Sequence, residues 1–120
     1  MPSLNMSGPY DLTKISIDAN VRRTSPGNYV LGKVNDEGTF IVNYVGRSDT
    51  DVVQRLSNYI GHTKYKKFKF SYASSPKAAF EKECQNYHDF DGKEKLDNAT
   101  HPQRPDASFW KCPVSGCVYY

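Results

Sequence analysis

The sequence predicts an α+β fold, a three-stranded and mainly antiparallel sheet with flanking helices in the order β-β-α-β-α. Three observations predict it. Two β-branched and aromatic runs, Tyr29 to Val34 and Thr39 to Val45, flank Asn35-Asp36-Glu37-Gly38 in the manner of a hairpin. Lys67-Phe68-Lys69-Phe70-Ser71-Tyr72 alternates with the period of a half-buried strand, aromatics on one face and two lysines with a serine on the other. Apolar stripes at helical spacing follow the hairpin and follow that third strand.

The first two dozen residues are polar and rich in Ser, Asn and Pro, with a weak edge-strand alternation from Leu12 to Ile17. They are expected as an arm (1–24), ahead of one folded domain (25–100) and a cysteine-containing C-terminal tail (101–120). In the hairpin, closure on the four-residue loop or on its inner pair Asp36-Glu37 makes paired residue numbers add to 73. That register sets Tyr29 opposite Tyr44, Leu31 opposite Val42 and Lys33 opposite Phe40, all on one face. A loop of odd length would break it. Ser48 and Asp49 can cap a helix whose stripe is Val52, Val53, Leu56, Tyr59 and Ile60, with Gly61 as its stop and with Arg55 and Tyr59 neighbours on its surface. Ser75-Pro76 opens a second helix that runs to about Phe90 and turns Ala79, Phe80, Cys84 and Tyr87 inward.

At 120 residues and 38% hydrophobic content the chain is expected to bury one modest core rather than two independent ones. The net charge of +3 is too mild to separate a nucleic-acid binder from an ordinary enzyme. Its distribution is more informative. His62 to Lys77 holds five lysines and no acid, while Glu81 to Asp97 holds six acids against three lysines. The start lacks a basic, apolar leader, and no run reaches the roughly 20 apolar residues of a membrane span. Three cysteines cannot all pair within one chain, which suits a reducing compartment. The expectation is a soluble cytoplasmic protein without membrane contact.

Gly27-Asn28-Tyr29, Tyr44-Val45-Gly46, Arg55-Leu56, the glutamate of Ala79-Phe80-Glu81-Lys82-Glu83, and Asn98 follow one another over about 70 of the 120 residues. In that order they resemble the GIY-YIG nucleases, with Asn28 standing where the family has an aliphatic residue. The resemblance implies a small endonuclease domain that hydrolyses DNA phosphodiester bonds, with branched or damaged DNA among the candidate substrates. It implies Mg²⁺ or Mn²⁺ on Glu83, with Glu81 as the competing carboxylate. It also implies a phosphate-bracing Arg55, a Tyr29 that takes the nucleophile's proton if nearby cations lower its pKa, and a Tyr44 that orients the water. Asn98 would fix a loop or a substrate phosphate, and Tyr59 would be an auxiliary donor. Gly46, Arg47 and the strip Lys66, Lys67 and Lys69 are the expected nucleic-acid contacts.

A second constellation lies in the cysteines. Cys84 and His88 are one helical turn apart, and Cys112-Pro113-Val114-Ser115-Gly116-Cys117 places two thiols around a turn. Together they would make a structural Cys₃His zinc site pinning the tail to the second helix, with His101 as reserve ligand. Two other functions stand beside the nuclease: a non-catalytic nucleic-acid-binding or adaptor module of the same fold, and a small zinc-stabilised interaction domain.

Overall fold

The structure is a computed structural model that describes residues 6–61, 64–90, 92, 95–98, 101–102, 110–114 and 117. Among these residues the order is β1 (Ser7–Asp11), α1 (Lys14–Asn20), β2 (Gly27–Val34), β3 (Phe40–Ser48), α2 (Val52–Ser57), β4 (Lys67–Tyr72) and α3 (Pro76–Asp89). The strands form one antiparallel sheet in the order β1-β4-β2-β3. The hairpin, the third expected strand and both expected helices are present, and β4 has the bounds its alternation predicts.

The sheet has four strands rather than three, because the segment expected as an arm supplies β1 and α1. The apparent alternation from Leu12 to Ile17 is instead a helix start. The Thr13 side chain accepts from the Ser16 amide at 3.2 Å. Leu12 just before this cap and Ile17 on the first turn are buried in the same cluster, the positions of a hydrophobic staple. β1 gave no alternation signal because it is a five-residue edge strand containing Pro9, a residue that edges tolerate.

Helices cover both faces of the sheet. On one, Tyr29, Leu31, Phe68 and Phe70 pack with Ile17 and Val21 near α1 and with Val52 and Leu56 of α2. On the other, Val30 and Val45 pack with Tyr87 of α3 and with Leu96. α2 is capped by Asp51, whose carboxylate accepts from the Val53 amide at 3.0 Å. Ser48, expected as a cap, accepts from the Asp51 amide one step earlier. α3 begins as expected, with Ser75 accepting from the Ala78 amide at 3.1 Å and Pro76 in the first turn. No helix among the described residues is long and apolar enough to cross a membrane.

The hairpin register departs from expectation twice, and the departures offset each other. The Asn35 amide donates to the Thr39 carbonyl, so the loop is the three residues Asp36-Glu37-Gly38, and pairs beside it add to 74 (Val34 with Phe40, Gly32 with Val42). That odd loop alone would put Tyr29 and Tyr44 on opposite faces. A bulge at Asn43 adds one residue, so that beyond it Leu31 pairs with Tyr44 and Tyr29 with Gly46. Tyr29 and Tyr44 are therefore diagonal rather than directly opposed, yet on the same face. Gly32 sits across from the bulge, and a β-carbon there would overlap the Ile41 carbonyl.

Candidate functional site

The bulge sets Tyr44 beside Tyr29, their rings stacked at 22° with centroids 6.4 Å apart. Tyr59, just past α2, closes the group at 5.9 Å from Tyr29 and 5.7 Å from Tyr44. Tyr65, which the sequence did not single out, adds a fourth ring 6.2 Å from Tyr44. Its hydroxyl donates to Asp97 Oδ2 at 2.8 Å, a partner 32 residues away that no local pattern announces. Gly46 is buried beneath the Tyr29 ring, so it supports that ring and does not contact a phosphate.

Arg55 lies in the last turn of α2 with its side chain exposed. Its charge acts on Tyr29, on Tyr44 and on Glu83, in each case favouring the anion. It is outweighed at both tyrosines. Burial, then the hydrogen bond with Tyr59, push Tyr29 and Tyr44 well above the ordinary phenol value. Tyr29 is therefore a hydroxyl here, not the ready base that the resemblance implies. This face offers neutral hydrogen-bond donors beside one exposed guanidinium.

Glu83 comes from α3, on the other side of the sheet. Its Oε1 accepts from Arg47 Nη1 at 2.6 Å, and Arg47 Nε donates to Asp49 at 2.9 Å. The guanidinium also lies over the Phe80 ring, 5.1 Å from its centroid. Burial pushes the Glu83 carboxyl above its usual range, against the pull of Arg47. The residues present do not fit the hydrated Mg²⁺ or Mn²⁺ that the resemblance implies. Such an ion needs several oxygens or waters around it, whereas this carboxylate is 7% exposed and already neutralised by a guanidinium. Arg47, expected to contact phosphate, is thus committed to carboxylates.

Asn98 acts on the backbone. Its Oδ1 accepts from the Val45 amide at 3.0 Å and its Nδ2 donates to the Val45 carbonyl at 2.8 Å, extending the sheet past its edge strand. The Asp97 amide donates to the Asn43 carbonyl at 2.7 Å, so the same segment holds the bulge. Asn28 is fully buried and donates to the Ala79 carbonyl at 2.8 Å, tying β2 to α3. The lysine strip does not form one track toward the tyrosines. Lys67 pairs with Asp11, Lys69 lies over the Phe40 ring on the α3 side, and Lys66 is exposed.

A separate cluster contains metal donors. His88, His101, Cys112 and Cys117 bring one ligand atom each within 4.8 Å of one another and could hold a metal ion. The expected set changes in one member: His101 takes the place of Cys84. Cys84 is fully buried one turn before His88 and packs with Phe80 and Cys112. All three cysteines are unpaired by disulfides. No family model matches the sequence, and comparison with curated proteins and with solved structures returns no match.

Proposed function

We propose that this chain is a nuclease domain of the GIY-YIG kind, hydrolysing DNA phosphodiester bonds at the face formed by Tyr29, Tyr44, Tyr59 and Arg55. The observation that carries the reading is the stacked pair Tyr29–Tyr44 with Arg55's charge acting on both. In hydrolysis a water attacks phosphorus, the bond to the leaving oxygen breaks, a proton of that water passes to the leaving oxygen, and the charge building on the non-bridging oxygens needs stabilising. Arg55 suits that charge, since a guanidinium spans two phosphate oxygens. Tyr44, only partly buried and held protonated, donates a hydrogen bond to the phosphate, while the buried Tyr29 acts through Tyr59, which couples the two hydroxyls. Asn98 acts by fixing β3 rather than by touching substrate. The unpaired cysteines support a reducing compartment such as the cytoplasm.

The Arg47–Glu83 pair favours a second reading, a nucleic-acid-binding module of this architecture that does not cut, because it neutralises the carboxylate expected to hold the metal ion. Incubation of branched, nicked and plain DNA with Mg²⁺ or Mn²⁺, beside Tyr29→Phe and Glu83→Ala, separates the two. Cutting that falls in Tyr29→Phe supports the nuclease. Binding without cutting supports the module, and cutting undiminished in both variants removes the proposed site.

A further inference from the structure

We infer that His88, His101, Cys112 and Cys117 bind one structural Zn²⁺, which ties the C-terminal segment to α3 and thereby holds the strand that presents Tyr44. Two nitrogens and two sulfurs make the donor set that tetrahedral zinc takes, and four protein ligands leave no position open for catalysis. Their mutual spacing, all within 4.8 Å, suits a single ion.

Three details indicate a built site rather than a chance grouping. His101 Nδ1 lies 2.9 Å from the Pro102 carbonyl, so its proton is directed there and Nε2 keeps a lone pair for a metal. That Nε2 lies 3.4 Å from Cys117 Sγ, close to the ~3.6 Å edge that usual Zn–N and Zn–S bond lengths set in a tetrahedron. His88 Nε2 is buried with no hydrogen-bond partner, a costly arrangement that a metal, or a hydrogen bond made possible by metal on the other ring nitrogen, would relieve. Cys84 packs in the core beside this set as a neighbour of Cys112, outside the four donors.

The consequence reaches the tyrosine face. Between His88 and His101 the chain passes through Asp97 and Asn98, which hold the bulge carbonyl of Asn43 and both backbone groups of Val45. Ligands on either side of that segment shorten the loop it must close and favour its ordered state. The ion is therefore a brace for the register of β3.

Metal analysis of the full chain, purified without added metal, should find one zinc per chain. Cys84→Ala should keep it, while His101→Ala and Cys117→Ala should weaken it at least about 100-fold, as loss of a ligand does beyond the effect of an outer-sphere partner. Co²⁺ exchanged into the wild-type chain should give the visible absorption of a tetrahedral thiolate site, and the same spectrum in Cys84→Ala. Chelation should speed hydrogen exchange at the Val45 amide, with recovery on adding Zn²⁺, a readout available even where a ligand variant does not fold. The proposal is overturned by a folded chain without bound metal that takes up no Zn²⁺, by a Cys112–Cys117 disulfide in the isolated protein, by loss of metal in folded Cys84→Ala, or by unchanged exchange at Val45 on chelation.

Discussion

Gly46 lies directly beneath the aromatic ring of Tyr29, and a β-carbon at residue 46 would overlap the ring's Cζ and hydroxyl oxygen. The glycine of one triplet is thus the floor for the tyrosine of the other. Gly46→Ala should displace a buried aromatic that has no other space, costing about 1–3 kcal/mol. Urea unfolding measures the loss. Tyr29 fluorescence should also change, because its stacking on Tyr44 cannot survive the shift.

The bulge depends on the second close approach. Gly32→Ala would drive a methyl group into the Ile41 carbonyl, which cannot withdraw without opening the bulge at Asn43. A loss of about 3 kcal/mol, at the upper end for overpacking, is expected in the same assay. The Asn98 amide bonds to Val45 should loosen as well, seen as faster hydrogen exchange at Val45.

That bulge marks the boundary of what the sequence made legible. Alternation located Lys67–Tyr72, and the Ser75-Pro76 cap located α3, because both signals are local. The hairpin was legible but its register was not. Nothing in Asn43 distinguishes an extra residue from a paired one, and Asn35, expected in the loop, instead pairs with Thr39, its side chain accepting from the amides of Glu37 and Thr39. Among the candidate metal donors, helical spacing favoured Cys84, but His101 arrives from a segment whose path only the fold determines. Arg47 and Glu83 pair across 36 residues, equally beyond local reading.

Removing Arg47 should leave Glu83 buried without its countercharge. Their side chains are 12% and 10% exposed, so Arg47→Met should cost about 3–5 kcal/mol at neutral pH. Glu83 already has a raised pKa in the fold, and the variant raises it further. A carboxyl raised in this way contributes its stability below the unfolded value and loses it as pH rises through the folded value. The deficit of the variant should therefore shrink toward acid, which unfolding at pH 4 and pH 7 compares.

At alkaline pH the tyrosine cluster should govern stability. Burial first, with the hydrogen bonds to Tyr59 and Asp97 next, holds Tyr29, Tyr44 and Tyr65 protonated in the fold, while the unfolded chain ionises them near the reference value of about 10. The unfolded state then binds fewer protons than the native one, so stability is intact below pH 10 and falls progressively above it. Absorbance titration of tyrosinate should show late ionisation in the native chain, and Tyr29→Phe should flatten the alkaline decline.

Single-turnover cleavage of end-labelled DNA by wild type, Arg55→Lys and Arg55→Ala tests whether the tyrosine face with Arg55 cleaves a phosphodiester. Loss of a preorganised charge at the developing phosphate oxyanions should slow Arg55→Ala by about 10²- to 10³-fold, with Arg55→Lys between the two and all three equally stable. Cleavage by Arg55→Ala at the wild-type rate, or a folded wild-type chain that cuts none of the DNA forms, would contradict it.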